Sequence, residues 1–91
     1  MPEFDWDEGN VEHIARHGVA PGEAEDVLLS PDRVVANRRR ERGEHRVSFV
    51  GTTEHGRLLF VVVAQRGPRL RVVTAREPNA TEIRLWRRRH R

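Results

Sequence analysis

Residues 58–76 read L-L-F-V-V-V-A-Q-R-G-P-R-L-R-V-V-T-A-R, and this segment predicts the centre of a β-sheet. The apolar run from Leu58 to Ala64 does not alternate with polar residues, which predicts a central strand covered on both faces. Arg66-Gly67-Pro68 contains the residue types that close a hairpin, and Leu70 to Arg76 again has the composition of a strand. The stretch therefore predicts two antiparallel strands, the first of them central in its sheet.

Two further strands are predicted before this hairpin. Val34 to Arg38 and His45 to Thr52 have strand-like composition, and Thr53-Glu54-His55-Gly56 predicts the turn that leads into Leu58. The charged run from Arg38 to Arg42 is interpreted as a solvated turn. We expect the last three strands to form an antiparallel meander.

Three helices are predicted around these strands. The first is expected to end at Gly18 and to follow a short strand from Glu3 to Trp6. In the last helix, Ala80, Ile83 and Trp86 stand at helical spacing and predict a buried stripe. The starts of the helices are marked by Asp7 as an N-cap, by Pro21 at a first helical position, and by Asn79 with Glu82 as a capping box.

The predicted fold class is α+β, with the order β-α-α-β-β-β-β-α and a mainly antiparallel sheet packed by helices. A chain of 91 residues suffices for one modest core, so residues 1–91 are expected to form a single domain that draws part of its stability from a partner. The absence of Cys excludes disulfides, thiolate zinc sites and a cysteine nucleophile. Neither a signal peptide nor an apolar run long enough for a bilayer is recognised, so we expect a cytoplasmic protein.

Charge is distributed unevenly along the chain. Residues 1–32 contain nine carboxylates and one arginine, whereas residues 33–91 contain sixteen arginines and five carboxylates. A GC-rich genome would explain why arginine entirely replaces lysine, but it would not explain this segregation. Arginine presents a permanently charged planar fork of donors, and a focused positive surface attracts polyanions. The pattern favours RNA or another polyanion as the ligand over an apolar small molecule.

Six segments spread over the chain carry a family resemblance. In order they are F-D-W-D-E at 4–8, H-G-V at 17–19, P-G-E-A-E-D-V at 21–27, G-E-H-R at 43–46, G-R-L-L-F-V-V-V at 56–63 and R-V-V-T-A-R at 71–76, followed by Glu82 and Trp86. With these segments the chain resembles the BrnT-like toxins, within the RelE-like group of toxin-antitoxin ribonucleases.

The resemblance implies a RelE-like fold and a cytosolic toxin that cleaves RNA and halts translation. It also implies a DNA-binding antitoxin of the ribbon-helix-helix type that covers the active face, in a homodimer or a toxin-antitoxin heterotetramer without membrane contact. Two positions depart from the family pattern, because Arg16 replaces a Lys before the His-Gly pair and Trp86 replaces a Tyr in the last helix. Since an indole cannot move a proton, any role of a phenol hydroxyl is either dispensable or altered here.

Metal-free RNA cleavage requires a base for the ribose 2′-hydroxyl, cationic donors for the phosphorane and an acid for the leaving oxygen. Because the chain lacks Lys, Tyr and Cys, and arginine stays protonated, the proton has to be handled by a histidine or a carboxylate. His55 in a turn and His90 near the terminus are poorly held candidates. His17 at the end of the first helix is better placed, although it can instead cap the helix carbonyls.

The predicted catalytic residues are His17 and Glu82 for the proton, with Arg46 and Arg76 for the phosphate. Each has a structural alternative, namely capping for Glu82, an ion pair with Glu82 for Arg76, and a solvated strand charge for Arg46. Glu44, beside Arg46, is a reserve base. The residues predicted to bind RNA are those of the basic surface: Arg57, Arg66, Arg71, Arg84, Trp86 and Arg88.

No cofactor and no metal are predicted. His13 and His17 have the spacing of two zinc ligands, but Ile14 stands where H-E-x-x-H has Glu, and no third ligand is recognised. The main alternative function is a non-catalytic module of the same fold that binds an acidic partner protein or nucleic acid. A weaker alternative assigns a DNA contact to residues 81–91, although no helix-turn-helix pattern precedes them.

Overall fold

A five-stranded mixed sheet organises the structure, a computed structural model that describes residues 2–91. Its spatial order is β1-β5-β4-β3-β2, with β1 parallel to β5 and every other pair antiparallel. The predicted order β-α-α-β-β-β-β-α is confirmed. The strands are β1 Glu3–Phe4, β2 Val34–Glu41, β3 Glu44–Thr52, β4 Leu58–Arg66 and β5 Arg69–Arg76, and the helices are α1 Glu8–Ala15, α2 Pro21–Leu29 and α3 Ala80–Arg89.

The hydrophobic core lies between α1, α2 and one face of the sheet, here called the first face. Because side chains alternate along a strand, β4 sends every second residue to this face. The fully or almost fully buried core comprises Ile14, Val19, Ala24, Val27, Leu28, Leu59, Val61, Val63, Val72 and Ala75. The opposite face, here called the second face, is covered only in part by α3. Phe60 and Val62 lie on it and are half-buried, so the predicted double cover of β4 is incomplete.

Capping residues begin the helices where the sequence predicted. The Asp7 side chain accepts from the Asn10 backbone N–H, and the Asn10 side chain accepts from the Asp7 backbone N–H. Asn79 and Glu82 form the same reciprocal pair at the start of α3. Gly18 ends the first helical segment with a φ of 74°, a backbone conformation that favours glycine. These caps satisfy N–H groups that the helix itself leaves unpaired.

A β-bulge in β5 separates the core residues from the residues of the second face. Val72 pairs with Val63 and Thr74 pairs with Val62, so Val73 is the additional residue. As a result Val72 and Ala75 are buried in the core, whereas Thr74 and Arg76 lie on the second face. In a regular strand Val72, Thr74 and Arg76 would share one face.

Two local predictions are wrong. The run Arg38 to Arg42 is not one turn, because β2 continues to Glu41 and only Arg42 and Gly43 form the connection, with φ angles of 52° and 76°. The predicted stripe of α3 is not buried. Ile83 and Trp86 are half-buried and Ala80 is exposed, because α3 packs mainly against β2 and β3.

No helix of the described residues has the length and apolar character needed to cross a membrane.

Candidate active site

A cavity of about 670 Å³ opens between the second face of the sheet and α3. The three antiparallel strands β3, β4 and β5 form its floor, β2 forms one wall, and the first turns of α3 form the other. Apolar, hydroxyl and charged side chains meet in it, which suits a ligand with both a base or sugar and a charged group. Its lining residues are Ala36, Asn37, Arg39, Ser48, Phe60, Val62, Thr74, Arg76, Thr81, Glu82, Leu85 and Arg88.

Arg76 and Glu82 form an ion pair inside this cavity. The Arg76 guanidinium donates to both carboxylate oxygens of Glu82, at 2.8 and 3.0 Å, and to the Glu77 carbonyl oxygen at 3.1 Å. Glu82 also accepts from the Asn79 backbone N–H at 2.9 Å, so its carboxylate is the capping residue that the sequence predicted. The pair is directional and two-pronged, which fixes the plane of the guanidinium.

Phe60 supports Arg76 from the floor of the cavity. The guanidinium carbon of Arg76 lies 4.1 Å from the centre of the Phe60 ring, within the range of a cation–π contact. Because Phe60 is opposite Arg76 in the β4–β5 ladder, the strand register itself creates this contact. Arg76 is therefore held by a carboxylate on one side and by an aromatic ring below.

Arg46 belongs to a separate cluster on the second face. It forms ion pairs with Glu41 at 3.3 Å and with Glu44 at 3.4 Å, and Glu44 also accepts from Arg66 at 2.8 Å. The hydrogen bond from Arg66 is the main reason that the pKa of Glu44 is lowered. Arg46 pairs with Ala64, four residues along β4 from Phe60, a separation of about 13 Å. The structure thus places Arg46 outside the cavity that contains Arg76.

His17 is exposed and does not line the cavity. Within the described part of the chain its ring makes no hydrogen bond to the carbonyls of α1, so it does not cap the helix. The ring instead meets the edge of the His13 ring, with centroids 5.4 Å apart. His13 Nε2 lies 3.0 Å from Thr74 Oγ1, and Thr74 lines the cavity.

Arg57 secures the turn after His17. Its Nη1 donates to the Gly18 carbonyl oxygen at 2.8 Å and to the Glu23 carboxylate at 3.1 Å, while Nη2 lies 3.6 Å from Glu77. The pKa of Glu23 is lowered, first by its hydrogen bond from the Ala20 backbone N–H and then by Arg57. Arg57 thus connects β4 to the turn that precedes α2.

The remaining predicted RNA-binding residues are dispersed. Arg71 forms ion pairs with Asp5 and Asp7, and its hydrogen bond to Asp7 lowers the pKa of that carboxyl and raises the pKa of Arg71 itself. Arg84 donates to Thr81 on α3. The Trp86 ring stacks on His90 with centroids 3.6 Å apart. Only Arg88 of the predicted set reaches the cavity.

Unpaired positive charge is concentrated in two parts of the chain, the β2–β3 hairpin and the α3 segment. Ten arginines have no carboxylate within ion-pair distance among residues 2–91, and eight of them belong to the β2–β3 hairpin or to the α3 segment. Arg88 lines the cavity, whereas Arg38 lies on the first face, where it lines a second cavity with Leu28 and Val47. The eight are Arg38, Arg40, Arg42, Arg84, Arg87, Arg88, Arg89 and Arg91, and the other two are Arg16 and Arg33.

Three or more His, Asp or Glu side chains with the geometry of a metal site are not found in residues 2–91. The polar side chains that line the cavity are arginines, hydroxyls, an amide and a single carboxylate.

Several cavity residues were not singled out from the sequence. The sequence pattern predicts Phe60 only as part of a strand covered on both faces, and it includes Thr74 only as part of the R-V-V-T-A-R segment. A usable signal was present, because Thr74 and Arg76 are two residues apart and polar at the end of an apolar strand. Asn37 and Ser48 carry no such signal, since their place depends on the register between β2 and β3.

Comparison with known families defines the class of the protein. Residues 6–82 match a family of ribonuclease toxins of type II toxin-antitoxin systems. The match runs from the N-terminal segment through the sheet to Glu82 in α3. The chain therefore belongs to this family, which is named BrnT, and the family implies RNA as the substrate class and a protein antitoxin as the partner. No curated protein matches the chain.

Proposed function

We propose that this chain is a metal-independent endoribonuclease whose scissile phosphate binds in the cavity between the second face and α3. The observation that carries the proposal is Arg76, held by Phe60 and Glu82 at the end of β5. A guanidinium fixed in this way needs little reorganisation to accept a phosphodiester oxygen, and preorganised donors contribute strongly to transition-state stabilisation. In the proposal Arg76 exchanges part of its contact with Glu82 for the phosphate.

The flanking arginines bring the RNA to the cavity. Arg88 and Arg39 line the cavity, and α3 carries further arginines without a carboxylate partner among residues 2–91. The phosphates on either side of the cut are proposed to contact these side chains, with Arg84 and Trp86 further along α3. Because such contacts release counterions, RNA affinity is expected to fall steeply as salt concentration rises.

Transfer of the ribose 2′-hydroxyl proton is assigned to His17 or Glu82. Arg46 is proposed to contact a phosphate only in RNA that extends beyond the cavity. In this scheme Arg57, Arg66 and Arg71 also contact RNA phosphates, and each gives up part of its contact with its carboxylate partner. The cellular result is proposed to be inhibition of translation in the cytoplasm. The antitoxin is proposed to be a DNA-binding ribbon-helix-helix protein that covers the cavity side of a single 91-residue domain, in a dimer or heterotetramer.

The test is cleavage of a fluorescent RNA by the purified chain in the presence of a chelator. The wild type should cut RNA, and Arg76→Ala should lower the rate by at least about a hundredfold. Arg69→Ala is the matched control, because Arg69 pairs with Glu3 at the opposite end of β5 and should cut as the wild type does. Cleavage that requires a divalent metal, or an Arg76→Ala variant that keeps full activity, would refute the mechanism.

The ion pairs also support one alternative, a non-catalytic module that binds an acidic protein or a nucleic acid. Arg46, Arg57, Arg66, Arg71 and Arg76 all have carboxylate partners, so less free charge faces the sheet than the sequence suggests. Induced expression separates the two functions. Growth arrest that Arg76→Ala abolishes supports the nuclease, whereas binding without arrest or cleavage supports the module.

A further inference from the structure

A hydrogen bond connects α1 to the candidate active site across the edge of the sheet. His13 is half-buried on α1, and its Nε2 lies 3.0 Å from Thr74 Oγ1 on β5. The contact is possible because β1 pairs with β5 only at Arg69 and Leu70, which leaves the later part of β5 without a strand neighbour on that side. The α1 helix packs beside this part of β5.

The Thr74 side chain lies between α1 and the cavity. Its hydroxyl contacts His13, and the residue also lines the cavity on the same face as Arg76, two positions further along. A hydroxyl can accept one hydrogen bond while it donates another. Thr74 can therefore accept from a ligand hydroxyl in the cavity while it donates to His13.

We propose that Thr74 contacts the ribose 2′-hydroxyl and that His13 acts through it as a positioning residue that receives the proton. This inference rests on the proposed ribonuclease function, and it names His13 rather than His17 as the histidine connected to the cavity. His17, exposed and 5.4 Å from His13 between ring centroids, has a contact with His13 but none with the cavity.

The proton and electron balance of this step is complete without a cofactor. Thr74 Oγ1 takes the 2′-hydroxyl proton while its own proton passes to neutral His13 Nε2. The 2′-oxygen forms a bond to phosphorus, the bond from phosphorus to the 5′-oxygen breaks, and its electron pair leaves with that oxygen. The 5′-oxygen takes a proton from water, and the His13 imidazolium returns its proton to water.

The charged groups near His13 on β5 are engaged in ion pairs, and those on α1 are exposed. No carboxylate lies within ion-pair distance of the His13 ring in the described residues. On β5, Arg71 and Arg76 flank Thr74, and each forms ion pairs with its own carboxylates. The other titratable groups of this part of α1 are Glu12, Arg16 and His17, which are all exposed.

The experiment measures the pH–rate profile of RNA cleavage for the purified full chain and five variants, at Thr74 (two), His13, His17 and His55. Thr74→Val keeps the shape but removes the hydroxyl, and it should lower the rate by about a hundredfold, whereas Thr74→Ser should stay within a few-fold of the wild type. His13→Gln should lower the rate and remove the fall in rate toward acid pH. His55→Gln is the control, because His55 lies in the exposed β3–β4 turn and has no contact with the cavity.

A readout besides activity separates a proton role from a structural one. The ring nitrogen resonances of His13, observed by NMR, should shift in Thr74→Val and in a complex with RNA that carries a 2′-deoxy sugar at the cut. Thermal unfolding of each variant verifies folding, and if Thr74→Val does not fold, His13→Gln and Thr74→Ser decide by their pH profiles.

Two outcomes would overturn the inference while leaving the nuclease intact. One is full cleavage by a folded Thr74→Val. The other is a His13→Gln variant that keeps the acid limb, especially if His17→Gln loses it. By contrast, a wild-type chain that cuts no RNA at any pH would refute the proposed function itself.

Discussion

The two faces of the sheet differ in how their side chains are stabilised. The first face is closed by α1 and α2, and most of its buried side chains are apolar. The second face is covered in part by α3, and its residues Arg46 and Arg76 are held by ion pairs, with Phe60 beneath Arg76. Burial against helices is the main contribution to stability, so the second face is free to retain an open cavity. The first face of the sheet thus contributes most of the stability, whereas the second face holds the residues proposed for catalysis.

The largest expected effect comes from removing equivalent atoms on the two faces. Val61 is fully buried on the first face, and its neighbour Val62 is half-buried on the second. Val61→Ala should lower the free energy of unfolding by about 2 to 3 kcal/mol, because it removes buried methyl groups and leaves a void. Val62→Ala is the matched control and should cost less than about 1 kcal/mol. Chemical denaturation measures both, and equal losses would contradict the assignment of the faces.

A smaller effect is expected from Glu82→Gln, which tests the ion pair of the second face. Glutamine can replace Glu in a capping box, so α3 should keep its start while the charge beside Arg76 disappears. RNA affinity at low salt should rise about tenfold, equivalent to about 1.4 kcal/mol, as measured by fluorescence anisotropy. Glu77→Gln removes an equal charge next to Arg76 in sequence but outside the cavity, and it should change affinity less.

The cleavage rate of the same variant assigns the role of Glu82. If RNA binds more tightly to Glu82→Gln and is still cut, Glu82 is a capping residue and a histidine handles the proton. Tighter binding without cleavage would make Glu82 the base. Unchanged affinity would contradict the proposal that Arg76 binds phosphate.

The smallest expected effect is a loss of stability in acid. The pKa values of Asp7, Glu23 and Glu44 are lowered in the folded chain, so the unfolded chain binds protons more readily than the folded one. The stabilisation from these groups is complete above the pKa values of the unfolded chain, near 4, and is lost as the pH falls through the lowered values. The melting temperature should therefore decline below about pH 4.5.

A pair of variants tests whether part of this acid sensitivity comes from the second face. Glu44→Gln removes the group that pairs with Arg46 and Arg66, and it should flatten the decline of melting temperature with pH. Glu54→Gln, in the exposed β3–β4 turn and without an ion pair in the described residues, should leave the decline unchanged. A decline of equal steepness in Glu44→Gln and wild type would show that Glu44 contributes nothing.

Local sequence signals predicted most of the fold. Element order follows from the caps Asp7 and Asn79, from Pro21 at a first helical position, and from the turns at 53–56 and 66–68, which act over a few residues. The half-buried state of Ile83 and Trp86 was not predictable in this way. A helical stripe shows which face turns inward, but how much the neighbouring strands cover depends on tertiary packing.

The candidate site was predicted only in part. Arg76 and Glu82 were identified and lie together in the cavity, because they are close in sequence and their contact follows from the strand-to-helix break. Arg46 and His17 lie elsewhere, since their distance from Arg76 depends on sheet register and on the path of α1. Ion pairs between distant segments, such as Arg71 with Asp7, also could not be predicted from the sequence pattern.

The additional residue in β5 carries a genetic consequence. Every side chain after Val73 points to the opposite side from the one that strict alternation would give it. An in-frame loss of the Val73 codon would remove the bulge and leave Thr74, Ala75 and Arg76 opposite the same residues of β4, so Arg76 would stay on the cavity side. Loss of these three nucleotides would therefore make β5 a regular strand without moving any polar side chain of the cavity to the other face.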